Sequence, residues 1–285
     1  MNDILQFLSQ NPEIATTTII AISLVVVSVV LMFVVAFFQG REITFWPPKI
    51  GSKSETKDVH QKGATGNKPV GTKTKDSDMS KFFEVYPNNT CYIVLNNDPR
   101  SIKAMAHGDV ETLVEAVKIV HELGGNIEVA PFDEKPKGVG SMTEFCIGGP
   151  DSNERTKAHL INHFNGLRFH DYSPGNPDSI AIEFEEKKYR YEKNDDGTLK
   201  QAYAILAKFR NKELPNSKPV FLICGQIQIT NKSAISYLTQ NYKKLRKEFG
   251  DKPFCLIVKP RDYKSYGYQD VVRVDNLTGL IFPEN

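Results

Sequence analysis

Four short stretches hold residues whose types and spacing could act on a ligand. The first is "FCIGGPDSNERTKAHL" (145–160), an apolar strand-like run that passes through Gly148, Gly149 and Pro150 into a helix-like run. Two glycines let backbone approach a ligand closely, and Ser152 or Asn153 can cap a helix whose free N–H groups attract an anion. The second, "CGQIQITNKS" (224–233), repeats the design with Gly225, then Gln226, then a helix opening near Thr230 or Asn231. The third and fourth, "NNDPRS" (96–101) and "APFDE" (130–134), each close a strand-like run. They offer Asn96 and Arg100 as ligand contacts, and Asp98, Asp133 and Glu134 as acid–base carboxylates. Two chemistries suit this set. One is retention of a nucleotide-like or phosphorylated anion by backbone amides, and the other is cleavage of a nucleotide or N-glycosidic bond by a carboxylate.

The same residues also suit a third reading, a glycine-rich corner with ordinary helix capping. "GGPDSN" is neither a GxGxxG turn nor a Walker loop, since no GK[ST] follows. His159 and His163 stand four apart, but "HLINH" lacks the intervening glutamate of a zincin, so packing or solvated histidines are expected and no metal site is. His170 and Asp171 are adjacent without a third partner in sequence, and no G-x-S-x-G elbow occurs. The four cysteines, Cys91, Cys146, Cys224 and Cys255, are far apart, three of them within strand-like apolar runs. They read as buried, reduced thiols of a cytosolic protein. Nothing in these motifs names a cofactor.

The elements that must position these residues follow from periodicity. "CYIVLNN" (91–97), "NIEVAP" (126–131), "TEFCIGG" (143–149), "PVFLICG" (219–225), "FCLIVKP" (254–260) and "DVVRV" (270–274) read as buried strands. Helices are expected over 109–125, with Leu113, Val117 and Val120 inward. A second covers 152–164, with Leu160, Ile161 and Phe164 inward, and a third covers 231–250, with Ile235, Leu238, Tyr242, Leu245 and Phe249 inward. "SIAIEFEE", "KKYRYE" and "QAYAILAKFR" alternate with period two, with "NDDG" (194–197) as a turn, and read as an inserted antiparallel meander. The predicted fold class is α/β, a Rossmann-like, mostly parallel sheet with a β-meander insertion. In such sheets ligands bind beyond the carboxyl ends of the strands, where all four stretches would lie.

Composition sets the rest. The 285 residues are 40% hydrophobic and 25% charged with a net charge of +2, which supports a packed core and gives no reason to expect a nucleic-acid partner. From Ile14 to Gly40 no residue is charged, long enough to cross a bilayer as a single transmembrane helix. Arg41, Lys49, Lys53 and Lys57 follow it and no Lys or Arg precedes it, so residues 1–13 are expected outside and the bulk inside, in a bacterial inner membrane. "FWPP" (45–48) would form the interfacial belt. Within the juxtamembrane segment and linker (41–81), residues 49–81 carry eight lysines against four acids and no aromatic residue, the composition of a flexible basic linker. The α/β domain is then expected over 82–285.

With these motifs in hand, the chain resembles a loose bacterial family of Rossmann-type domains. The resemblance rests on "FCIGGPDSN" for its strand–GGPxxN turn, "AYAILAKFRNKELP" for a following strand, and "FLICGQIQITNKSA" for a strand ending in glycine before a helix. It covers roughly residues 91–260, and the family's glycine- and threonine-rich last turn is reduced here to Gly225 and Thr230. The resemblance implies the fold and carries no activity with it. A membrane anchor, a tether and a nucleotide-type crevice together resemble bacterial sensors or effectors of nucleotide signals, some of them in antiphage defence. The expected function is ligand sensing, with a tethered enzyme and a ligand-free interaction domain as alternatives, and self-association as one means of output.

Overall fold

The computed structural model describes residues 43–45, 48–50, 77–95, 107–131 and 138–283. The chain divides into two compact units, residues 1–70 and 71–285. In the first, β1 (Ile43–Phe45) and β2 (Pro48–Ile50) pair antiparallel, with Ile43 opposite Ile50 and Phe45 opposite Pro48. Phe45 and Pro48, the ends of the stretch expected to be an interfacial belt, are thus paired in adjacent strands.

The second unit contains α1 (Ser77–Phe83), β3 (Thr90–Leu95), α2 (His107–Glu122), β4 (Asn126–Pro131), β5 (Thr143–Ile147) and α3 (Glu154–His163). After these come β6 (Leu167–Phe169), β7 (Ile182–Phe184), β8 (Lys187–Tyr189), β9 (Glu192–Lys193), β10 (Leu199–Gln201) and β11 (Ala204–Phe209). The chain closes with β12 (Val220–Gly225), α4 (Gln228–Phe249), β13 (Phe254–Pro260), α5 (Tyr263–Tyr266), β14 (Val271–Asn276) and α6 (Thr278–Ile281). Seven strands form the main sheet in the order β14-β13-β11-β12-β5-β3-β4.

Alternation along β5 shows how the sheet builds two cores. Phe145 and Ile147 point into one, with Phe82 and Phe83 of α1, Ile119 and Val120 of α2, and Ile235 and Leu238 of α4. Cys146 points into the other, with Leu160 and Phe164 on the α3 side, Ile182 and Phe184 of β7, and Ile281 of α6. Each strand side chain faces the layer opposite to its neighbour's, so the sheet is covered on both sides. Gly124, at φ 74°, ends the α2 region, and Gly250, at φ 61°, ends α4 by donating to Arg246 O.

Several expectations are corrected. The sheet is mixed rather than mostly parallel. The pairs β4–β3, β3–β5 and β5–β12 are parallel, whereas β12–β11, β11–β13 and β13–β14 are antiparallel. The inserted meander is smaller than expected, a three-stranded sheet β6-β7-β8 and the β9–β10 hairpin about the "NDDG" turn. "AILAKF" leaves it to become β11, buried throughout in the middle of the main sheet. Lys208 lies within β11 at 1% exposure, and its ammonium donates to Phe82 O at 2.9 Å, over the Phe82 ring. A lysine at the end of α1 thus satisfies a helix-terminal carbonyl from inside the core. Ile161, expected inward, is 73% exposed, and the apolar face of α3 is carried by Leu160 and by Phe164 at its cap.

The linker boundary also moves. α1 begins at Ser77, before the expected domain start at 82, and Met79 and Ser80 are already buried. The expected transmembrane helix (14–40) lies outside the described residues, and among the described residues no helix is long and apolar enough to cross a membrane. The longest of them, α4, is amphipathic, with Lys243, Lys244, Arg246 and Lys247 in its last two turns. The fold class is therefore corrected to mixed α/β, with no membrane-crossing helix among the described residues. The single-pass inner-membrane placement, with residues 1–13 outside, is set aside with it.

Candidate functional site

The direction in which each helix leaves its strand decides where a ligand could enter. α2, which follows β3, and α4, which follows β12, both pack on the face that holds Phe145. α3, which follows β5, packs on the face that holds Cys146. β5 lies between β3 and β12, parallel to both, so its connection departs opposite to each neighbour's. The carboxyl end of β5 is thus flanked by two switch points, the places where open α/β sheets accept ligands.

At the β5/β12 switch the two glycine turns meet, and the protein fills the gap itself. A β-carbon built on Gly149 would stand 3.3 Å from Gly225 O and 3.8 Å from the Phe169 ring. One built on Gly225 would stand 2.4 Å from Thr230 Oγ1 and 2.7 Å from Asn231 N. Gly225 therefore serves the close approach of the α4 amino terminus to its strand. Its own N–H donates to Asn231 Oδ1 at 2.6 Å, and Asn231 Nδ2 donates to the buried Asp109 at 2.9 Å. Asp109 lies in the first turn of α2 and joins that helix to α4.

Most of the expected contact groups are consumed in the same way. Gly148, at φ 113°, donates its N–H to Ile223 O at 2.9 Å, which extends the parallel ladder past the end of β5. Asn153 caps α3 by accepting from Arg155 N and Thr156 N at 3.0 and 3.1 Å, and its amide donates to Ile147 O. Thr230 Oγ1 closes the first turn of α4 through Ile227 N and O, and is fully buried. Gln226 exchanges bonds with Tyr203 through Oε1 and its own N–H, while Nε2 donates to Ile180 O and Tyr189 O. That side chain fastens the three-stranded sheet to β12 and has nothing left for a ligand.

Gly149 differs. Its N–H has no acceptor among the described residues, and it sits half-buried where the chain enters the α3 cap. Asp151, two residues on, accepts from Tyr172 N at 2.8 Å. Partial burial raises its pKa above the ordinary carboxylate value, and the neighbouring Asp171 carboxylate adds to the shift. Asn96, Asp98, Arg100, Asp133 and Glu134 lie outside the described residues.

A buried polar cluster beneath this turn was missed by sequence reasoning. Glu144 of β5 is 2% exposed and accepts two bonds from Arg155, at 2.6 and 3.1 Å, and one contact from His159 at 2.8 Å. Burial pushes its carboxyl pKa up, but the bonds from His159 and Arg155 outweigh this and hold it below the usual range. Cys146 lies beside them, and its Sγ meets Thr156 Oγ1 at 3.2 Å. The Thr156 hydroxyl donates to Gly148 O, so the thiol is the donor in that contact. Ligand atoms of Glu144, Cys146 and His159 fall within 4.8 Å of one another, as in a metal site. The Arg155 guanidinium already neutralises the carboxylate there, and burial and the Glu144 charge keep the Cys146 thiol protonated. The cluster therefore secures α3 to the sheet. The signal was available, a glutamate inside "TEFCI" with Arg and His at i, i+4 on the next helix.

No protein-family model, curated protein or solved structure matches this chain.

Proposed function

We propose that the α/β unit is a binding module for a nucleotide-like or otherwise phosphorylated ligand, held at the carboxyl end of β5 where the chain enters α3. One observation carries the reading. The N–H of Gly149, at the carboxyl end of β5 where the chain turns into the α3 cap, has no acceptor among the described residues, and α3 packs on the face opposite to α2 and α4. Gly225, Gln226 and Thr230 take no part, because they spend their polar atoms on the protein. Binding is favoured over catalysis by the pairing of His159 and His170 with carboxylates. His159 is buried against Glu144, and His170 is 2.8 Å from Glu183, which also pairs with Lys188. The resemblance of the GGPDSN turn to Rossmann-type bacterial domains agrees with this reading, and a sensing or effector role follows from binding without turnover.

The test is a thermal-shift and turnover screen of the full chain against nucleoside mono-, di- and triphosphates, with Gly149→Ala and Asp151→Asn. A ligand at 100 times its Kd stabilises by about 2.7 kcal/mol. Gly149→Ala places a methyl group in the turn and is expected to weaken binding while the fold persists. Asp151→Asn removes a repelling charge and is expected to tighten binding of a bare phosphate. If no nucleotide shifts the melting temperature, or Gly149→Ala binds as the wild type does, the site is elsewhere. Turnover abolished by Asp98→Asn or Glu134→Gln would replace the module by an enzyme.

A further inference from the structure

At the amino rim of the sheet, away from the glycine turns, the C-terminal end of α3 and the segment around α6 enclose a cavity of about 420 Å³. Its floor is rigid and apolar. Phe209 and Phe282 are 2% and 7% exposed, and both are held edge-on by Phe164, with ring centroids at 5.1 and 5.4 Å. Pro253 and Ile281 complete the floor. The rim carries Ile161 and Leu280, 73% and 59% exposed, the two most exposed aliphatic side chains of the described residues. Single exposed apolar residues are ordinary, but two on the mouth of one apolar cavity form a continuous surface.

The polar groups at this cavity are few and differ in kind. Arg210 is committed, donating to Glu84 and to Ser217 O. Lys212 has no carboxylate partner among the described residues. His163 lies between the rings of His159 and Phe209 with no hydrogen-bond partner among the described residues. Burial, with His159 beside it, lowers the His163 pKa, so the ring is neutral at pH 7 and can donate one hydrogen bond. A flat aromatic floor, one free cation and one neutral donor match a small apolar acid, and the volume lies in the range of small-molecule sites.

We infer that this cavity binds an aromatic monocarboxylate, its ring system on Phe209 and Phe282 between Ile161 and Leu280, and its carboxylate on Lys212 with His163 donating. The site is separate from the nucleotide reading, because Phe209 pairs with Val220, the first residue of β12, whereas Gly225 is the last.

The experiment titrates the full chain with 2-naphthoate and with its neutral counterpart 2-naphthylmethanol, following ligand fluorescence. Lys212→Met and Leu280→Glu alter exposed side chains, and circular dichroism checks that both fold. One saturable naphthoate site is expected, about fivefold weaker in Lys212→Met and lost in Leu280→Glu, with naphthylmethanol insensitive to Lys212→Met. Absence of a saturable site in the wild type, or equal binding by Leu280→Glu, overturns the site. Naphthoate binding unchanged by Lys212→Met overturns the carboxylate assignment.

Discussion

Gly149 and Gly225 are packed against each other across the β5/β12 boundary, close enough that a β-carbon on the first would stand 3.3 Å from the carbonyl oxygen of the second. The two positions nevertheless tolerate substitution unequally. At Gly225 the added carbon would meet Asn231 backbone N at 2.7 Å, and backbone cannot swing aside. Gly225→Ala should therefore cost about 1–3 kcal/mol, read as a lower urea midpoint, whereas Gly149→Ala should cost under about 1 kcal/mol. Equal midpoints for the two variants would contradict the packing role given to Gly225.

Glu144→Gln leaves the Arg155 charge buried without its counter-ion. A loss of about 3–5 kcal/mol at pH 7 is expected. The folded-state pKa of Glu144 is lowered, so its contribution is present above the unfolded-state value near 4.5 and disappears as pH falls through the lower folded value. Denaturation curves of wild type and Glu144→Gln should converge below that range, and a constant gap down to pH 2 would speak against the assignment.

Lys208 acts in the same pH direction, but in the alkaline range. Burial lowers its pKa from 10.5 to about 8. Between those values the unfolded chain holds a proton that the folded chain has released, so stability attributable to Lys208 rises with pH by about 3 kcal/mol. The difference in stability between wild type and Lys208→Met should move by that amount in favour of the wild type from pH 8 to 10.5. A pH-independent difference would show that the ammonium stays charged against Phe82 O.

The cysteines oppose this trend. Burial pushes the Cys91 thiol from 9.0 up to about 12, and raises Cys146, Cys224 and Cys255 as well. Their contribution is intact below pH 9 and is lost as pH climbs toward the folded values. All four are buried and free. A thiol reagent at pH 8 should label none of them within minutes in the native protein and four after denaturation, and rapid native labelling of one would refute the burial of that side chain.

How much of this was legible in the sequence depends on where the signal lies. Runs such as "NIEVAP" and "FCLIVKP" carry their own boundaries, and the structure has strands over Asn126–Pro131 and Phe254–Pro260. The stripe Ile235, Leu238 and Leu245 marked α4, which nonetheless opens at Gln228, ahead of the expected start, because Thr230 closes its first turn from within. Strand direction was not legible, since period two looks alike in a solvated hairpin and in the buried centre of a sheet. α1 was hidden by the polar "SDMSK" that precedes Phe82 and Phe83. At the candidate site the glycines were visible but their partners were not. Whether an amide faces a ligand or a neighbouring carbonyl depends on contacts such as Gly148 to Ile223, which no local pattern encodes.

The central position of β11 has a consequence for how the molecule must be made. Both of its neighbours, β12 and β13, are later in the chain, so "AILAKF" emerges before either flank exists. Its second edge is covered only once Phe254–Pro260 has been synthesised and α4 has carried it across the sheet. Until then a six-residue, almost wholly apolar strand presents an open ladder to other chains. Fragments that stop short of residue 254 should therefore be recovered as aggregates, whereas the nascent full-length chain escapes that fate by completing one antiparallel pairing.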